Sequence, residues 1–312
     1  MRRVGAIVAA AGLLAAGCGG DRDREKPSFL SSLAAELLQK ARLSETLFED
    51  TAAVGDPLPL WGAIDCERAS RHTRVSSGGD PAPTATGERQ GDDAFRRLTV
   101  IDGDDFYGER CELGQNDHRS GPVAIYRDGD HSVTWFSLRL PPSFPLDTPH
   151  WQGGVQLKQA QPADNGGGTP ALSLKAFDGR WILFHSDPGY TEVDLPVWSA
   201  PASAGRWTRF ALDVVFSPDP DRGRVVVLAD LNGDGDFDDA DERSEELRLS
   251  TLKLEGPGDD EDGYGEGEPL VSHLRAGLYH DPVIRCPAPG GCAIELDNVQ
   301  VVRAGLPSSP AK

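Results

Sequence analysis

Between Asp56 and about Leu306 the chain never sustains an apolar period of 3.6 residues. Short apolar runs, alternating in and out, follow one another and are cut by Gly, Pro and Asp. With 36 glycines and 24 prolines in 312 residues, the breaks come too often for helices of ordinary length. About 250 residues of such runs suffice for one large two-sheet β-sandwich, and an all-β class is expected, with no internal repeat.

Alternation within the runs sorts side chains by face. In Val133 to Leu140, Thr134, Phe136, Leu138 and Leu140 share an apolar face, and Val133, Trp135, Ser137 and Arg139 share the other. In Trp207 to Phe216, Phe210, Leu212, Val214 and Phe216 oppose Trp207, Arg209 and Asp213. Val155 and Leu157 oppose Gln156 and Lys158; Cys111 and Leu113 oppose Arg110 and Glu112. Leu274, Ala276 and Leu278 oppose His273, Arg275 and Tyr279. Each of these strands carries a cation, amide or aromatic away from the core. Aromatic rings stack on pyranoses, and Arg or Lys fixes a carboxylate or sulfate, so a sugar groove is expected from Arg110, Glu112, Trp135, Arg139, Gln156, Lys158, Trp207, Arg209, His273, Arg275 and Tyr279. A loop laid over Trp135 and Trp207 would use those two rings equally well.

Five segments carry a resemblance, in order. Arg110-Cys111-Glu112-Leu113 resembles the R-x-E-L strand of polysaccharide lyases built on a concanavalin-like jelly roll. Gln156-Leu157-Lys158 stands at their Q-x-H strand, and Arg275-Ala276-Gly277-Leu278-Tyr279 resembles K-A-G-x-Y. Gly205-Arg206-Trp207 fits G-x-W, and Asp297-Asn298-Val299 the closing D-N-V. The resemblance spans Arg96 to Val302 and is nearest to the heparin lyase I-like branch. It implies β-elimination at a uronic acid in an acidic polysaccharide. Arg110 and Gln156 would neutralise the carboxylate so that the C5 proton becomes acidic, and Tyr279 would carry protons. The chain departs from the family at Lys158, where the histidine base is expected. A desolvated lysine beside Arg110 would serve as the base; alternatively Lys158 binds substrate, with Tyr279 working alone or His273 substituting as the base, or the site is inactive. The same scaffold also serves non-catalytic carbohydrate-binding or surface-interaction domains, an alternative that stays open here.

The densest run of carboxylates is Asp230 to Glu242. Asp230, Asn232, Asp234 and Gly235 fit D-x-[DN]-x-[DN]-G, the start of a calcium loop, with Asp236 (through its carbonyl), Asp238 and Asp241 as later ligands. The usual glutamate falls one residue late, at Glu242. Arg224 to Ala229 before it and Leu247 to Leu254 after it show no amphipathic helix, so an ion-pinned β-hairpin tip is expected rather than an EF-hand. The calcium would be structural.

The amino terminus has Arg2 and Arg3, an apolar run from Val4 to Ala16, and then Gly17-Cys18. Leu13 to Cys18 resembles a bacterial lipobox, which implies cleavage of residues 1–17, acylation of Cys18 and a lipid-anchored, extracytoplasmic protein. Residues 18–55 read as a tether and a short helix through Leu30, Leu33, Leu37 and Leu38, residues 56–306 as the lyase-like domain, and 307–312 as a tail. The full chain carries a net −19; loss of Arg2 and Arg3 leaves 29 basic against 50 acidic side chains, a net −21. Nucleic acid is thereby excluded as a partner, and the domain is taken as a monomer. The four later cysteines suit two disulfides in an exported protein. Pro287 to Gly291 turns the chain between Cys286 and Cys292, leaving Cys66 for Cys111. Arg71 to Gln90 and Gly256 to Glu268 read as exposed polar loops.

Overall fold

The computed structural model describes residues 45–52, 61–87, 94–115, 125–160, 168–189, 194–256 and 265–305. The expected signal segment, Cys18, the helix after it and the 307–312 tail lie outside the described residues.

Sixteen strands follow in chain order: β1 (Thr46–Asp50), β2 (Ala63–Cys66), β3 (His72–Ser76), β4 (Ala94–Val100), β5 (Arg110–Gly114), β6 (Ile125–Tyr126), β7 (His131–Arg139) and β8 (Gln152–Ala160). They continue with β9 (Leu172–Phe177), β10 (Arg180–Ser186), β11 (Asp194–Pro201), β12 (Trp207–Val215), β13 (Arg224–Asp230), β14 (Leu247–Arg248), β15 (Val271–His280) and β16 (Cys292–Arg303). They form two eight-stranded sheets. The back sheet runs β14-β13-β12-β7-β16-β4-β3, with β1 also on β16; the front sheet runs β11-β10-β9-β8-β15-β5-β2, with β6 also on β15. All these ladders are antiparallel, giving the jelly-roll sandwich expected from the alternation. Because β1 belongs to the back sheet, the sandwich begins before Asp56. No helix among the described residues is long and apolar enough to cross a membrane.

The faces read as apolar meet between the sheets. Phe136, Leu138, Phe210, Leu212, Val155, Leu157, Leu113, Leu274 and Leu278 share one core. Trp181 of the front sheet sets its edge on Phe210 of the back sheet, with centroids 5.3 Å apart. Such ring pairs add to area burial as directional contacts. Cys66–Cys111 joins facing positions of β2 and β5, and Cys286–Cys292 closes the turn before β16, the two pairings expected.

The segment 71–90 is not simply an exposed loop. His72–Ser76 pairs with β4, and residues 80–87 lie as a strap over the outer face of the back sheet. Side chains from the sheet satisfy its carbonyls: Ser137 and Asn298 donate to Pro83, and Trp207 Nε1 donates to Asp80 at 3.2 Å. Polar composition gave no hint of this, because these hydrogen bonds are accepted by the strap's backbone. Beneath it Trp135, Val133, Ala211, Val226, Leu228 and Phe237 form a second cluster, so β7 is buried on both faces.

Candidate active site

The outer face of the front sheet gathers side chains from β5, β8 and β15. Register places Tyr279 beside Arg110 and Gly277 beside Glu112 on one flank of β15, and Gln156 beside Arg275 and Lys158 beside His273 on the other. The Arg110 guanidinium lies over the Tyr279 ring, 3.9 Å from its centre, and donates to the Tyr107 carbonyl. Trp151 packs edge-on against the same ring at 4.8 Å.

Two glycines make this approach possible. Gly108 (φ 98°) passes so close that a Cβ there would sit 3.1 Å from Tyr279 Cε2. At Gly277 (φ 146°) a Cβ would lie 2.3 Å from the Cys111 carbonyl oxygen, where no side chain fits. The β15–β8 register shifts between Ala276 and Tyr279, around that glycine.

Glu112 organises the floor. It is 1% exposed, accepts a hydrogen bond from Gln156 Nε2 at 2.6 Å, and pairs with Arg110 at 3.6 Å and Arg275 at 3.5 Å. Arg275 also pairs with Asp65 of β2. A carboxylate so engaged holds cations and an amide in place, and it has little left to offer a sugar. Glu112, Arg275 and His273, expected to touch substrate, are buried, and so is Gln156, whose amide lies at the floor of the same face. Lys158 is half-buried farther along β8, and its Nζ donates to the Gly168 carbonyl at 3.2 Å.

Trp135, Arg139, Trp207 and Arg209, expected in the same groove, belong to β7 and β12 of the back sheet. Arg139 lies 4.6 Å over the Trp207 ring and pairs with Glu295 and Asp80. Arg209 sits 4.1 Å over Phe237 and donates to the carbonyls of Ala85 and Gly235. The strap covers them, so they hold the back sheet together. Alternation assigned the correct face of each strand but could not say which sheet that face belonged to.

Sequence reading missed Trp151, Lys175 and Tyr107. Lys175 of β9 places Nζ 5.3 Å from the Trp151 ring and pairs with Asp194. Its signal was the alternation in Leu172–Phe177, where Leu172, Leu174 and Ala176 face the core. Tyr107 is 84% exposed beside Gly108 at the rim.

The acidic loop lies after β13, and β14 returns antiparallel to it, as a hairpin should. Gly233 and Gly235 donate to Asp230, and Leu231 and Asn232 donate to Glu242 Oε1 at 2.7 and 3.2 Å. Carboxylate oxygens of Asp234, Asp236 and Glu242 lie within 4.8 Å of one another. Asp241, expected as the last ligand, is exposed and outside this group, while the Asp236 carbonyl accepts from Arg209. Burial pushes the carboxyls of Asp230 and Glu242 up from their ordinary values.

Residues 60–281 match the polysaccharide lyase family. Among solved structures the chain is similar to an endo-β-1,4-glucuronan lyase from the fungus Trichoderma reesei, at 16% identity over 83% of this chain and 96% of that one, with a TM-score of 0.55. It is also similar to a marine PL-14 alginate lyase from Aplysia kurodai, at 11% identity over 83% of this chain and 100% of the other, with a TM-score of 0.53. At these identities the likeness is one of fold. No curated protein sequence matches the chain. The family match covers both the front-sheet site and the strands that build it, and the chain belongs to the polysaccharide lyase family.

Proposed function

We propose that the protein cleaves a uronic-acid glycan by β-elimination on the outer face of the front sheet. The observation that carries this reading is Arg110 stacked on Tyr279, with Gln156 held beside them by Glu112. In the reaction a base takes the C5 proton, the C4–O4 bond breaks, a C4=C5 double bond forms and O4 leaves with a proton. Arg110 and Gln156 meet the uronate carboxylate, which gains charge as C5 is deprotonated. Tyr279 gives the proton with which O4 departs and can take the one at C5, and Lys158 is the base or a binding cation on the same face. Trp151 and Tyr107 offer rings to neighbouring sugars. The glucuronan and alginate lyases that share the fold act on polymers of uronic acids, which favours glucuronan or alginate over a sulfated glycan. The heparin lyase I-like resemblance rests on the five sequence segments alone.

We place the protein outside the cytoplasm, because two disulfides persist in oxidising compartments; anchoring through Cys18 rests on the lipobox resemblance. The experiment is incubation with glucuronan, alginate and heparin, following the ultraviolet absorbance of unsaturated uronate ends. Release of such ends from one polymer is expected. Binding of an acidic glycan without any unsaturated product would overturn the catalytic reading in favour of a binding domain.

A further inference from the structure

We propose that Asp234, Asp236 and Glu242 hold one calcium ion at the end of β13, with the charge of Asp230 beside them, and that Glu242 rather than Asp241 closes the site. Spacing alone would not establish this, since acidic hairpin tips are common on soluble proteins. The second observation is Glu242 itself. It is 1% exposed, and while Oε1 takes two backbone N–H groups, Oε2 meets no donor among the described residues. A buried carboxylate oxygen left in this way is costly unless a cation meets it.

The surroundings are anionic. Asp230 is buried, and Asp234 and Asp236 bring carboxylate oxygens within 4.8 Å of Glu242. Ligands on opposite sides of a calcium ion stand about 5 Å apart, so this separation suits one shared ion. One cationic side chain, Arg209, acts on all four carboxylates, and it donates to the Gly235 and Asp236 carbonyls. The Asn232 amide brings a partial positive charge to Asp234 and Asp239, at 2.7 and 2.9 Å. A second arginine, Arg206, donates to the Leu231 and Asn232 carbonyls, and none of these groups meets Glu242 Oε2. An all-oxygen, carboxylate-rich loop suits calcium better than magnesium, which demands tighter octahedral geometry and keeps its waters. The ion would brace the back sheet, because Arg209 also grips the strap through Ala85.

The test uses the full chain stripped with EDTA, titrated with calcium chloride by calorimetry and melted with and without the ion. One calcium per chain is expected, with a melting temperature raised by roughly 5–10 °C at a hundredfold excess over Kd. Glu242→Gln keeps an oxygen for the Leu231 and Asn232 N–H groups and should weaken binding by about tenfold or more. Asp234→Asn, at an exposed position where folding is not at stake, should weaken it similarly, while Asp241→Asn should stay within about twofold. Absence of both binding heat and a melting shift in the wild type overturns the site. So does calcium binding by Glu242→Gln that equals the wild type, loss of binding in Asp241→Asn, or a magnesium response as large as that to calcium.

Discussion

Arg110 and Tyr279 face each other on adjacent strands, with the guanidinium 3.9 Å from the centre of the phenol ring. The contact needs Gly108 beneath the ring and the backbone conformation of Gly277, so a cation and a proton-bearing hydroxyl are brought together by two residues that contribute no side chain.

Tyr279→Phe deletes the hydroxyl and leaves the ring under Arg110. Turnover should fall by about 10²–10⁴-fold with KM little changed, because only proton transfer is lost. Arg110→Ala should raise KM and lower kcat together, since the carboxylate it meets exists in the ground state and gains charge in the transition state. Initial rates of unsaturated-end formation separate the two; a Tyr279→Phe variant with wild-type kcat would remove the tyrosine from the chemistry.

Lys158 stands at the position where related lyases are expected to have histidine. If it is the base, Lys158→His should retain part of the activity and move the pH optimum downward, as imidazole titrates nearer neutrality. Lys158→Ala should then abolish turnover. Near-wild-type kcat in Lys158→Ala, with a raised KM, would assign Lys158 to substrate binding.

The back-sheet aromatics should behave as structure. Trp207→Ala and Trp135→Ala remove rings buried beneath the strap and should each cost about 3–5 kcal/mol in urea unfolding. Neither should change KM at temperatures where the variant is folded. A large KM effect from either would return them to the substrate groove.

Acid should destabilise the protein through the β1–β4 contact. Burial raises the Asp50 carboxyl, but two hydrogen bonds and the charge of Arg96, with the N–H of Trp61, outweigh it and hold Asp50 below its ordinary value. A depressed carboxyl adds stability above its unfolded value near 3.8, and that stability is lost as pH falls through the folded value. His72, pushed down to about 4 by burial and then by the charge of Arg96, acts over a higher range. The unfolded imidazole takes its proton near 6.5, so stability declines from there down to about 4. For a half-buried ring the loss should be less than about 3 kcal/mol. Urea unfolding at several pH values should show both phases, and His72→Gln should shrink the upper one, to which His185, also lowered by burial, contributes. Asp50→Asn should cost about 3–5 kcal/mol at neutral pH by leaving Arg96 buried without its partner.

Alternation along the chain determined which side chains of β5, β7, β8, β12 and β15 face the core, because a strand's period of two is a local property. Leu113, Leu157, Phe136, Phe210 and Leu278 all lie where that period put them. The turn between Cys286 and Cys292 was likewise local and legible. The D-x-N-x-D-G spacing marked the acidic loop for the same reason. Which sheet a strand joins depends on pairing across long sequence separations, and no local pattern carries that. Arg110 and Tyr279 are therefore neighbours across a ladder, whereas Trp207 and Arg139, read from equally clean alternation, sit on the opposite side of the sandwich under residues 80–87. The placing of Glu242 rather than Asp241 against the acidic loop was a tertiary decision too. Asp241 is turned out to water, while the next residue is carried into the loop and held by the N–H groups of Leu231 and Asn232.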